Sequence, residues 1–144
     1  DGLVMGRRCG QLDPGIVLHL WRQGWTVAEV EKLLYRESGL VGVSGLSADL
    51  RELRAAARAG HAQAQTAIDL FDYRLRREAG SLGAVLGGLD LLAFTGGIGE
   101  HDPATRAELV HAGTAPPVRG VRLASWMYAR RPTATRLNAC WMAL

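Results

Sequence analysis

At 144 residues, 48% of them hydrophobic, the chain is long enough to bury a core of its own, and one compact domain is expected. It has no run of about 18 apolar residues to span a bilayer and no signal-peptide order at its start, and its two cysteines, Cys9 and Cys140, point to neither a disulfide framework nor a zinc knuckle. A soluble cytoplasmic protein with reduced thiols follows, and the net charge of +3 hides a basic end in which residues 109–144 carry five Arg and no acid; spread so thinly, they form no cluster suited to nucleic acid or a membrane surface.

The chain opens on Asp1-Gly2-Leu3-Val4-Met5-Gly6 and not on Met, which reads as the interior of a longer chain. A polar, glycine-rich stretch from Gly6 to Gly15 ends in Asp13-Pro14, an N-cap followed by a first helical position. The short helix that follows has Ile16, Val17, Leu20 and Trp21 on one side and stops at Gly24. Thr26-Val27-Ala28-Glu29 is a capping box, and Val30, Leu33 and Leu34 continue a second helix over about 27–38. Leu40 to Ser47 alternates small and apolar residues without helical period and is expected as an ordered loop or short strand, with Ser47 capping a helix that runs to Gly60.

From His61 onward Ala64, Ile68, Phe71, Leu75, Ala79, Leu82 and Leu86 recur at steps of three and four, one apolar stripe on a long helix. Gly80, Gly83 and Gly87 each weaken it by roughly 1 kcal/mol relative to Ala, which suggests close packing there or fraying at the end. Leu89 to Thr95 is a short apolar run of the kind that forms a buried parallel strand. It leads into Gly96-Gly97-Ile98-Gly99-Glu100-His101, after which Asp102-Pro103 caps a helix with Ala107, Leu109 and Val110. Helix, strand, glycine loop and helix make an α/β crossover pattern. Beyond about His111, Pro116, Pro117 and Pro132 fall among scattered Arg, Trp126 and Trp141 with no period, and an irregular tail is expected.

The strand, glycine turn and helix start suit an anion, because glycines let backbone amides approach a phosphate. A tight turn needing glycine for shape alone is the competing reading. A dinucleotide fingerprint fits poorly, since Gly97-Ile98-Gly99 lacks the third glycine and no acid follows Glu108. A P-loop is excluded, because the only lysine, Lys32, is far from any glycine loop.

Three stretches carry a resemblance. Met5-Gly6-Arg7-Arg8-Cys9-Gly10-Gln11-Leu12-Asp13-Pro14 resembles the M-G-T-R-S-G-D-L-D-P stretch of acetate kinases, Val43 to Glu52 resembles their G-x-S-x-D-x-R-E segment, and Phe94 to Glu100 resembles their F-T-[AG]-G-I-G-E loop. The resemblance implies an α/β fold: part of a ribonuclease-H-like domain of the acetate and sugar kinase, heat-shock 70 and actin superfamily. It also implies phosphoryl transfer between ATP and acetate to give acetyl phosphate and ADP, with Mg2+ as cofactor and a homodimer as the complete form. By the same resemblance Arg8 contacts the transferring phosphoryl group, and the nucleotide is met by Asp49, Leu50 and Arg51 and by Gly97, Ile98, Gly99, Glu100 and His101. Three departures stand out: Arg7 replaces the usual Thr, Gln11 an Asp, and His101 a frequent Asn. His19, His61 and His111 match no motif and are expected as structural histidines.

The family's N-terminal N-x-G-S-S-S-x-K phosphate segment, its acetate pocket and its late acidic magnesium motif have no counterpart here, and no metal ligand is assigned. Residues 1–112 are therefore expected to be a partial C-terminal nucleotide-binding domain of an acetate kinase. Residues 113–144 are expected to be a basic, aberrant tail of the kind a frameshift leaves. Two functions follow, an acetate kinase incomplete as this chain and a non-catalytic nucleotide-binding fragment; a basic interaction protein rests on the tail alone.

Overall fold

The computed structural model describes residues 3–88, 91–111, 121–123 and 139–143. The chain divides into two compact units, Asp1–Arg74 and Leu75–Leu144.

In the first unit, α1 (Pro14–Arg22) begins as expected, with the Asp13 carboxylate accepting from Gly15 N at 2.6 Å and Pro14 at the first helical position. None of its residues is buried, and Ile16, Leu18 and Trp21 stay about half exposed. α2 (Val27–Arg36) has the full capping box: Thr26 Oγ1 accepts from Glu29 N at 3.3 Å while Glu29 Oε2 accepts from Thr26 N at 2.7 Å. The Thr26 hydroxyl, which also donates to Glu29 Oε2 at 2.7 Å, and then the Thr26 backbone amide hold the Glu29 carboxyl below its ordinary value.

Two expectations are corrected here. The segment read as a loop or strand is a helix, α3 (Gly39–Ser44), and the next helix, α4 (Leu50–Arg58), is capped by Asp49 and not by Ser47. Ser47 Oγ instead accepts from Asp49 N at 3.0 Å, one step earlier in the same turn. α3 forms because its first amides find acceptors outside it. Leu40 N donates to Met5 O at 2.9 Å and Val41 N to Gly6 O at 3.0 Å, so the unpaired donors of a helix start are satisfied by a segment that arrives from far earlier in the chain.

The long helix is present as α5 (Ala62–Leu86), and the division between the units falls within it. In the first unit Ala64, Ala67, Ile68 and Phe71 are buried, with Val30, Leu40, Leu50 and Leu53 completing that core. Each large side chain buried this way contributes about 1.5–3 kcal/mol. In the second unit the stripe continues through Leu75 and Ala79 and then fades, since Leu82 is 41% exposed. Gly80 and Gly87 have open space where a side chain would stand, so close packing does not explain them. Gly87, at φ +71, ends the helix in the left-handed conformation that glycine permits.

The second unit is built on β1 (Leu91–Thr95), which lies between β2 (Val121–Leu123) and β3 (Ala139–Ala143) and runs parallel to both. Leu92, Ala93 and Phe94 are consecutive and all buried, the pattern of a strand covered on both faces. The glycine stretch expected as a loop is a further correction: it is a short helix, α6 (Gly96–His101). α7 (Pro103–His111) follows with Asp102 as its cap, as expected; Asp102 Oδ1 accepts from Ala104 N and Thr105 N at 3.0 and 3.1 Å. Leu109 is buried, whereas Ala107 and Val110 are exposed. The part expected as an irregular tail thus supplies two strands, register Leu92 to Val121 on one side and Leu92 to Cys140 on the other. Leu89, Asp90, Pro116, Pro117, Trp126 and Pro132 lie outside the described residues.

Candidate functional site

The site residues fall in two places, one in each unit. In the first, Arg8 sits on a bent segment whose backbone is anchored by four hydrogen bonds: Cys9 N to Leu34 O, Ser38 N to Arg7 O, Leu40 N to Met5 O and Val41 N to Gly6 O, all 2.9–3.0 Å. Two glycines make that approach possible. Gly39, at φ +63, would put a Cβ 2.1 Å from Met5 O and 2.9 Å from Arg8 O, and a Cβ on Gly6 would meet Ala48 Cβ at 3.1 Å. The first motif is therefore clamped between the start of α3 and the residue before Asp49, so the first two motifs adjoin.

The backbone is fixed, yet the Arg7 and Arg8 side chains are exposed and neither makes a hydrogen bond or ion pair among the described residues. Both guanidinium groups stand ready for an anion. Gln11, which replaces an acid in the motif, accepts from Arg74 Nη1 at 3.0 Å through its Oε1. Cys9, Gln11 and Arg74 line an open cleft of about 380 Å³, walled on its apolar side by Val4, Val43 and Leu70.

The second motif turns on Ser44, whose buried hydroxyl accepts from Leu46 N and Ser47 N at 3.1 and 3.2 Å and so closes the turn at Gly45. Asp49 then caps α4: its Oδ1 accepts from Arg51 N at 2.8 Å and Arg51 Nε at 3.1 Å, and its Oδ2 accepts from Arg51 Nη2 at 2.5 Å. The guanidinium hydrogen bonds, reinforced by the Arg51 backbone amide, pull the Asp49 carboxyl down to about 2. The Arg51 side chain is 89% exposed and held flat against this carboxylate, a planar cation open to a stacking partner. Leu50 between them is 4% exposed, so its side chain belongs to the core.

In the second unit Gly97, Ile98, Gly99, Glu100 and His101 all lie on α6. Gly96 turns the chain out of β1 at φ +79. Gly99 is buried with Phe94, where an added Cβ would lie 3.3 Å from both the backbone and side chain of Phe94. Gly97 has nothing within 4 Å of that position, so the fold itself does not require glycine there. His101 Nδ1 lies 3.1 Å from Gly97 O, and Arg106 Nη1 donates to Gly99 O and Glu100 O, each at 2.9 Å.

Arg106, Gly39 and Ser44 were not singled out by sequence reasoning. Arg106 and Gly39 act on groups brought close only by the fold, and Ser44 acts within a stretch expected as an ordered loop or short strand. His61 has a structural role as expected, accepting from Ala64 N at the start of α5. Among the described residues no group of three or more His, Cys, Asp or Glu converges to hold a metal ion, and no helix is long and apolar enough to cross a membrane.

The family model for the acetokinase family matches residues 1–118. The chain is 55% identical over 108 residues to acetate kinase of Thermosynechococcus vestitus, covering 75% of this chain and 26% of that protein. It is 61% identical over 102 residues to acetate kinase of Rhodopseudomonas palustris, covering 70% and 25%. Among solved structures it is similar to Porphyromonas gingivalis acetate kinase, with a TM-score of 0.70 at 40% identity over 76% of this chain and 28% of that one. A propionate kinase from Francisella tularensis gives a TM-score of 0.71 at 38% identity over 77% and 29%. The chain spans about a quarter of the length of the curated relatives it matches. With these motifs in an acetate-kinase-type fold, this chain belongs to the acetokinase family.

Proposed function

We propose that the chain is part of an acetate kinase, transferring a phosphoryl group between ATP and acetate to give acetyl phosphate and ADP. In this reading residues 1–112 are part of the C-terminal nucleotide-binding domain, with a ribonuclease-H-like architecture, and the complete enzyme is a homodimer. Residues 113–144 are a basic extension of that domain, contributing β2 and β3 to the sheet built on β1. The single observation that carries the reading is Arg8, exposed and uncommitted on a segment whose backbone is held by four hydrogen bonds at its neighbours.

Phosphoryl transfer needs little covalent help from the protein; positioning and stabilisation of charge on the transferring group do most of the work. A planar guanidinium supplies two parallel hydrogen bonds to phosphoryl oxygens, and a fixed backbone lowers the cost of aiming it. Arg51, held by Asp49, offers a face to the adenine base. Gly97, Ile98, Gly99, Glu100 and His101 contribute contacts through backbone that lacks a bulky side chain at Gly97. ATP and ADP are the nucleotides and Mg2+ is the expected ion. The described residues do not gather a ligand set for that ion, so no step is assigned to it here.

A second reading, a nucleotide-binding piece without turnover, is favoured by the candidate residues themselves, since Asp49 to Arg51 and Gly97 to His101 are all nucleotide contacts and Arg8 alone is catalytic. Acetyl phosphate formation and ATP binding measured on the purified chain and on Arg8→Ala separate the two. Turnover that falls at least about a hundredfold in Arg8→Ala, with stability within about 0.5 kcal/mol, supports the kinase. Binding without turnover supports the second reading, and absence of both sinks each of them.

A further inference from the structure

We infer that Arg106 is a positioning residue for the nucleotide-contacting segment, holding the α6 backbone in one geometry through the carbonyls of Gly99 and Glu100. This rests on the reading that Gly97 to His101 meet nucleotide.

α6 has six residues, too few to be stable by itself, and three of them are glycine. Left alone, such a segment samples many backbone conformations, and ordering it on binding costs affinity. The structure supplies the order in advance. A single Arg106 nitrogen donates to two carbonyls, Gly99 O and Glu100 O, each at 2.9 Å. These belong to the set that a helix C-terminus leaves without internal partners, and a cation there also suits the negative end of the aligned peptides.

Arg106 can do this because its own base is fixed. Asp102 binds Ala104 N, Thr105 N and, at 3.0 Å, Thr105 Oγ1, which sets the turn from α6 into α7 and brings the fourth residue of α7 back over the end of α6. Thr105 is fully buried beside it.

The test is ATP affinity of the full chain and of Arg106→Ala, with and without millimolar guanidinium. The expected result is a loss of about tenfold in Arg106→Ala, regained with guanidinium and not with an equal concentration of tetramethylammonium. Without nucleotide, amide hydrogen exchange across residues 98–102 is expected to quicken in the variant. If Arg106→Ala does not fold, Arg106→Lys, which keeps charge but loses the guanidinium fork, is expected to lose affinity several-fold with the same quickening. Unchanged affinity and exchange in the folded variant overturn the inference and leave the nucleotide reading standing. A wild-type chain that binds no ATP overturns both.

Discussion

The Arg8 segment and the α6 segment are held by opposite means. Met5 to Cys9 is fixed through its main chain, with carbonyls and an amide bonded to neighbouring backbone, and its arginine side chains are left exposed. α6 is fixed by side chains, with His101 and Arg106 at its carbonyls and Gly99 buried with Phe94, and its glycine-rich start is left open. The segment proposed to offer a side chain is anchored by its backbone. The one proposed to offer backbone is anchored by side chains.

The sharpest way to break the first arrangement is Gly39→Ala. The new Cβ would collide with Met5 O in a left-handed conformation, so a loss of at least about 3 kcal/mol in urea unfolding is expected. A variant as stable as the parent would mean that the clamp is not as described. The second arrangement is sharpened by a pair of glycines. Gly99→Ala crowds Phe94 and is expected to cost about 1–3 kcal/mol. Gly97→Ala meets nothing and is expected to leave stability unchanged or raise it by up to about 1 kcal/mol while weakening ATP binding. Equal stability losses at the two positions would erase the distinction between fold glycine and ligand glycine.

The smallest effect belongs to Asp49. Its carboxyl, ordinarily near 3.8, is drawn down to about 2 by Arg51. The stability it adds is therefore complete above pH about 4 and is lost as the pH falls through about 2. Asp49→Asn is expected to flatten the stability profile slightly in that window, and the exposure of Arg51 keeps the change small. A profile unchanged by the substitution would show that the pair holds geometry without contributing to folding.

What was legible in the sequence was local. Asp13, the Thr26 to Glu29 box and Asp102 each satisfy amides within three residues, and the α5 stripe repeats often enough to be seen. α3 escaped notice because its six residues carry no period and its first amides bond to Met5 and Gly6. α6 escaped because glycine argues against a helix, and what overrides propensity comes from Arg106 and Phe94. Arg8, Asp49 and the α6 residues are candidates named by motif. Arg106 and Gly39 could not be, since their partners are set by the fold and not by spacing.

The position of β1 has a consequence for synthesis. Among the described residues, both strands paired to it come later in the chain, so these two pairings are still missing when Leu92, Ala93 and Phe94 have already emerged. An apolar strand with two free edges is a template for another chain. A product halted after α7 should therefore be more prone to aggregate during expression than one carried through Ala143, and the ratio of soluble to insoluble protein in the two would measure how much those last pairings protect.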